Sequence, residues 1–240
     1  MQERYLGDVH DFYKFLFLKY LSKKIKRKIG LNWYLVDPKQ LNREEEKNDG
    51  EKRNYLKKDE ICKLDSKISN EFKKVVSRKK RNIISFTKKT HLKNYINFYN
   101  VQILQSNRES WFEESIKFFK KNDIIFLDPD NGLLKNKNIK NSFKHLLLKE
   151  ITKYLSEEKI IIFTQFQSYN KNHIVYLDEI KEFLNLNGVK LSFPILRNRT
   201  SPNTFFITLG RRELLCETKI LDIYKNFANE MQSKIELVTI

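Results

Sequence analysis

Residues 123–128 read Asp-Ile-Ile-Phe-Leu-Asp. Four consecutive apolar side chains closed by a carboxylate predict a strand covered on both faces, because a half-exposed strand would alternate apolar and polar residues. Lys159–Thr164 (KIIIFT) repeats the pattern. Upstream, Asn32–Val36 (NWYLV) is a short apolar run ended by Asp37-Pro38, and proline disfavours continuation. Further strands are expected at Ile83–Phe86, Val101–Leu104, Val189–Phe193 and Thr204–Leu209, with Thr90–Asn100 fitting neither period. Helical spacing of apolar residues marks Val9–Ile25, behind an Asp8 N-cap. It also marks Ile61–Val76, Ser110–Lys121, Ser142–Ser156, Ile174–Leu186 before Asn187-Gly188, and Asp222–Lys234.

Alternating strands and helices predict a doubly wound α/β architecture with a mostly parallel, seven-stranded sheet. The connection Pro194–Asn203 has no helical pattern, so the last strand is expected to run antiparallel. No Gly/Ser- or Pro-rich linker interrupts residues 1–240, and one domain is expected. It opens with helix 9–25 and carries an irregular insert at about 39–60, which includes Glu44-Glu45-Glu46 and Asn48-Asp49-Gly50.

The chain has 240 residues, 40% of them hydrophobic, enough for a core. A net charge of +17 attracts polyanions, so nucleic acid is the expected partner, although an AT-rich genome also raises lysine everywhere. Cys62 and Cys216 form no Cys-x-x-Cys pair, which argues against a disulfide framework or a cysteine zinc site. Met1–Tyr5 has no signal-peptide character, and no apolar run nears the roughly 20 residues of a membrane span. A cytoplasmic location without membrane attachment follows as an expectation.

Asp128 is the first candidate for chemistry, because acids at the ends of buried parallel strands face the crevice where such sheets bind ligands. Asp130 and Asn131 add oxygen ligands, and Gly132 permits a tight turn. Asp37, ending the first strand, is expected nearby as a crevice residue or a turn former. Asp8, His10, Asp11 and Lys14 form a second cluster, with Asp11 and Lys14 on one helical face. Lys14 interrupts an apolar stripe, so it either reaches outward or neutralises a buried anion. Gln165 and Gln167 could read a base edge or close a turn. Lys190, Arg197, Arg199 and Arg211, with Ser201 and Arg212, are candidate phosphate contacts, whereas Arg78–Arg81 reads as a solvated run.

Three motifs carry a resemblance: Gly7-Asp8-Val9-His10-Asp11-Phe12-Tyr13-Lys14, Trp33–Pro38, and Phe126-Leu127-Asp128-Pro129-Asp130-Asn131-Gly132-Leu133. Together they resemble a bacterial protein family with a GD-x-x-DF-x-K start and a DPDNGL loop, from Tyr5 to about Leu209. More distantly, the chain is similar to the adenine-N6 methyltransferases of large-subunit ribosomal RNA. Their G-N-H-A-D-V-L-K opening matches at Gly7, Asp11 and Lys14, and their D-P-P-Y loop matches at Asp128-Pro129. This resemblance implies a Rossmann-like, class I methyltransferase fold and S-adenosylmethionine as cofactor. It implies that Asp128 engages the target base and that the opening segment with Gly7, Asp11 and Lys14 helps hold cofactor and substrate; with the residues beside them, Asp128, Asp130, Asn131 and Lys14 are the catalytic candidates, and Gly7, Asp8, Asp11 and Asp37 the cofactor-binding ones. The departures are Pro38-Lys39-Gln40 in place of a glycine-rich turn, Asp130-Asn131 in place of Pro-aromatic, and Ser85 where an acid would hold the ribose.

Two other classes fit the same residues. Asp37, Asp128 and Asp130 could bind Mg²⁺ in a nuclease or phosphoesterase of phage defence, although no Asp…Glu-x-Lys pattern is present. The lost glycine turn also suits a degenerate, non-catalytic methyltransferase-fold module that binds a nucleic acid or a protein partner.

Overall fold

The computed structural model describes residues 1–37, 52–78, 81–135, 142–167, 170–191, 193–200, 202–211, 213, 219–231 and 234–240. Asn48-Asp49-Gly50, Lys79, Lys80, Ser201, Arg212 and Cys216 lie outside the described residues. The architecture is α/β and Rossmann-like, built on a seven-stranded mixed sheet. In chain order the strands are β1 (Ile29–Asn32), β2 (Ile96–Tyr99), β3 (Ile124–Leu127), β4 (Ile160–Phe166), β5 (Ile195–Asn198), β6 (Thr204–Leu209) and β7 (Ile235–Val238). Their spatial order is β2-β1-β3-β4-β6-β5-β7. The first four run parallel, and the pairs β4–β6, β5–β6 and β5–β7 are antiparallel.

The helices are α1 (Val9–Ile25), α2 (Asp59–Cys62), α3 (Ser66–Val76), α4 (Ile83–Lys89), α5 (Arg108–Phe118), α6 (Leu148–Ser156), α7 (His173–Leu186) and α8 (Ile220–Glu230). The pleat sends alternate strand residues to opposite faces. Leu31, Ile124, Phe126 and Ile162 pack with α1, α3, α4 and α8. Ile125, Leu127, Ile161 and Phe163 pack with α5, α6 and α7. This two-sided burial is why β3 reads as an unbroken apolar run, and all four of its residues are buried. Among the described residues, no helix is long and apolar enough to cross a membrane.

Several boundaries differ from expectation. The first strand is Ile29–Asn32 rather than Asn32–Val36, because Tyr34 takes φ +47° and breaks the ladder. Ile83–Phe86 is helical: Asn82 caps Ser85 N–H, and Ile83 and Phe86 face the core while Ile84 is exposed. The second strand is Ile96–Tyr99, inside the ambiguous stretch, and Val101–Leu104 contributes only a bridge from Gln102 to Leu35. Ile61–Val76 is split, because Asp65 starts a new helix by accepting from Lys67 and Ile68 N–H. The strand expected at Val189–Phe193 is displaced to Ile195–Asn198, and β7 follows α8 where helix was expected to run on to Lys234.

Candidate functional site

The site is assembled by α1 arriving at the carboxyl ends of β3 and β4. Asp8 caps α1 by accepting from Asp11 N–H at 2.9 Å. One turn later Lys14 points back to the sheet, and its Nζ lies 2.6 Å from both Asp11 Oδ1 and Asp128 Oδ2. The ammonium also sits 4.7 Å from the centre of the Trp33 ring, a cation–π contact on its open side. Asp128 N–H donates to the Asn32 carbonyl at 2.9 Å, and Thr164 Oγ1 donates to Asp128 Oδ1 at 3.1 Å. β3 and β4 are in register at Leu127 and Phe163, so Asp128 and Thr164 are next-step neighbours.

Asp130 is held by Gln2, whose Nε2 donates to Oδ2 at 2.9 Å, and by the Met1 ammonium at 3.1 Å. Asn131 N–H donates to the Lys144 carbonyl, and Leu146 N–H to the Gly132 carbonyl, pinning the loop after β3 to residues 144–146. Gln165 accepts from Leu133 N–H at 2.7 Å and donates to Tyr176 Oη at 2.6 Å. It therefore closes a turn. Arg108 donates to Glu150, to the Ser142 carbonyl and to the His145 carbonyl, bracing the same loop from behind.

These groups enclose a cavity of about 290 Å³. Asp8, Asp11, Lys14, Asp128, Asp130 and Asn131 line it together with Tyr5, Phe166, Pro202 and Phe206. His10, Thr204, Arg4 and Lys144 also face it. Burial raises Asp8 to about 6, against the opposing pull of Asp11 N–H and Lys14. Burial likewise raises Asp11 to about 6, with Lys14 opposing. Burial would lower Lys14, but Asp11 and Asp128 outweigh it and hold the ammonium above its ordinary value. Burial lowers His10 to about 4. Burial would raise Asp130, yet the Met1 ammonium and Gln2 bring it below the usual carboxylate value.

Asp128, Asp130, Asn131 and Lys14 are thus brought together, as are Asp8 and Asp11. Gly7 and Asp37 do not line the cavity. Gly7 adopts φ +87°; its N–H donates to Asp11 Oδ2 and its carbonyl accepts from Tyr55 Oη. Because β1 ends early, Asn32 rather than Asp37 flanks Asp128. The described arginine candidates are engaged by acids. Arg197 pairs with Glu236 at 2.6 Å, Arg199 lies 3.8 Å from the same carboxylate, Arg211 pairs with Glu158 at 2.7 Å, and Lys190 is exposed. Sequence reasoning missed Thr164, Gln2, Trp33 and Lys144. Thr164 was within reach, as the first polar residue closing the KIIIFT run.

No family model matches this chain, and no solved structure matches it. It is similar to Protein PFC0760c of Plasmodium falciparum, at 25% identity over 159 residues. That alignment takes in 58% of this chain but spans only 4% of the Plasmodium protein's length.

Proposed function

We propose that this chain is a methyltransferase-like protein that takes an amine-bearing base of a nucleic acid into the cavity beside Asp128. The observation that carries this reading is the presence in one cavity lining of two carboxylates beyond the end of a central strand, Asp128 and Asp130, and two aromatic side chains, Tyr5 and Phe166. Enzymes that act on bases read the extruded base by hydrogen bonds to its edge and by apolar packing on its faces. A carboxylate oxygen has two lone-pair sites, so Asp128 can accept from a ligand while keeping Lys14 and Thr164. The +17 charge supplies the attraction to the phosphate backbone.

The residues present do not fit S-adenosylmethionine at the end of β1. Residues 31–49 contain no glycine, and Tyr34 is buried with its hydroxyl donating to Glu150. Val36 N–H is given to the Met1 carbonyl. A binding module without methyl transfer uses the same cavity equally well. A Mg²⁺-dependent nuclease has less support, since the Lys14 ammonium already fills the space between Asp11 and Asp128. Among the described residues, no group of three or more His, Cys, Asp or Glu side chains could hold a metal ion.

The test is fluorescence anisotropy with single-stranded RNA and DNA oligonucleotides and their abasic counterparts. The reading expects tighter binding of the intact strands, with the difference reduced in Asp130→Asn. Equal affinity for intact and abasic strands would overturn it.

A further inference from the structure

His10 was singled out in the sequence only as part of a cluster, yet its surroundings favour one placement of its ring proton. Its Nδ1 lies 3.2 Å from Thr200 Oγ1 and 3.0 Å from Thr204 Oγ1. A hydroxyl has one proton, and Thr200 spends its own on Asn198 Oδ1, at 3.0 Å. The identity of that acceptor atom is fixed independently, because Thr200 backbone N–H donates to it at 3.3 Å, which an amide NH₂ could not accept. Asn198 is fully buried on β5, so this orientation is held by the sheet.

Thr200 Oγ1 therefore meets His10 with lone pairs, which favours the imidazole proton on Nδ1. A proton there makes both threonine contacts attractive, whereas a bare Nδ1 would accept from Thr204 and face the Thr200 lone pairs at 3.2 Å. Nε2 is left as the bare nitrogen of a ring that lines the cavity. The ring is further fixed edge-on to Phe166, with centroids 5.8 Å apart. Burial also keeps the ring neutral at pH 7.

We infer that His10 is a specificity-determining residue of the cavity, presenting Nε2 as a neutral hydrogen-bond acceptor that selects a ligand carrying an N–H or O–H donor. This rests on the proposed function for the identity of the ligand, but not for the state of the ring. Together with Asp128 and Asp130 it makes one side of the cavity a set of acceptors. A ligand offering donors on two edges, such as an aminated heterocycle, satisfies them; a ligand offering only acceptors leaves Nε2 unpaired, which is costly in a buried site.

The experiment is long-range ¹H–¹⁵N correlation on the full chain labelled at histidine nitrogen, with His10 assigned by its loss in His10→Gln. The expected result at pH 7 is the Nδ1–H tautomer, shifting toward a tautomer mixture in Thr200→Val. Titration with the single-stranded oligonucleotide should then move the Nε2 resonance, and His10→Leu should weaken binding about tenfold while His10→Gln retains part of it. An Nε2–H tautomer in the free protein, or an unmoved His10 signal in a complex that does form, overturns the role assigned to His10. An oligonucleotide that fails to bind the wild-type chain at all overturns the nucleic-acid reading and the ligand class with it, whatever the tautomer.

Discussion

Lys14 Nζ and Asp128 Oδ2 meet at 2.6 Å across 114 residues of sequence, both nearly sealed from water. The contact joins the first turns of α1 to the end of β3, and Asp11 completes it from within the helix. A buried charge stripped of its partner is costly, whereas removal of the whole set is not. Lys14→Met should therefore lose about 3–5 kcal/mol in urea unfolding. Lys14→Met combined with Asp11→Asn and Asp128→Asn should recover a substantial part. A triple variant no more stable than the single one contradicts this account.

The pH response of the same cluster has a definite sign. Asp8 and Asp11 each stand at about 6 in the folded chain against 3.8 ordinarily, so folding favours their protonated forms. The stability they contribute is fully present below about 3.8 and is lost as pH rises through about 6. Asp11→Asn should flatten the slope of unfolding free energy between pH 4 and 7. The measurement is a set of urea titrations across that window, and an unchanged slope in the variant is the adverse outcome.

Gly132 holds the loop after β3 at φ +72°, and a Cβ there would overlap the side-chain amide of Gln165. Gly132→Ala should lose about 1–2 kcal/mol from the backbone alone, with a further loss from displacing Gln165. Adding Gln165→Ala should relieve only the second part. Thermal unfolding of the two variants separates the contributions.

Arg108 braces that loop from the other side, with Glu150 beneath it. Burial would lower the guanidinium's affinity for its proton, but Glu150 holds it above the ordinary value. Arg108→Met leaves Glu150 buried without its partner and should lose about 3–5 kcal/mol. Amide exchange at Leu146, whose N–H reaches the Gly132 carbonyl, should quicken more than exchange in β4.

The arginines nominated from sequence and the lysine at the cavity should behave differently. Arg197→Met breaks a part-buried pair with Glu236 and should act mainly on stability. Lys144→Ala, on the cavity wall, should lower oligonucleotide affinity and reduce the salt slope by about 1. Binding isotherms over a range of salt concentrations decide between these expectations.

How much of this was legible follows from where the physical signal lies. β3, β4 and β6 were readable because strands buried on both faces leave long apolar runs, and α1 because Asp8 caps a regular apolar spacing. Ile83–Phe86 misled because its composition suits a strand, while its spacing of core contacts, Ile83 then Phe86, is helical. β1 was misplaced because Trp33 and Tyr34 look like strand residues. Trp33 serves instead as a face for Lys14, and Tyr34 turns the chain. Asp128 and Lys14 could each be nominated from sequence, and of the two readings of Lys14, reaching outward or neutralising a buried anion, the second holds, with Asp11 and Asp128 as the anions. The Asn198–Thr200–His10 relay was beyond reach, since it depends on which end of the sheet α1 reaches.

β6 lies between β4 and β5 although it follows both in the chain. During synthesis, Asp8, Lys14, Asp128 and Thr164 have all emerged before it. Thr204 and Phe206 line the cavity from β6, so the lining is incomplete until that strand pairs with β4 and β5. A nascent chain halted short of that point would own every acid of the site and still have nowhere to enclose a guest. Occupancy of the cavity would thus report that translation has passed the sixth strand.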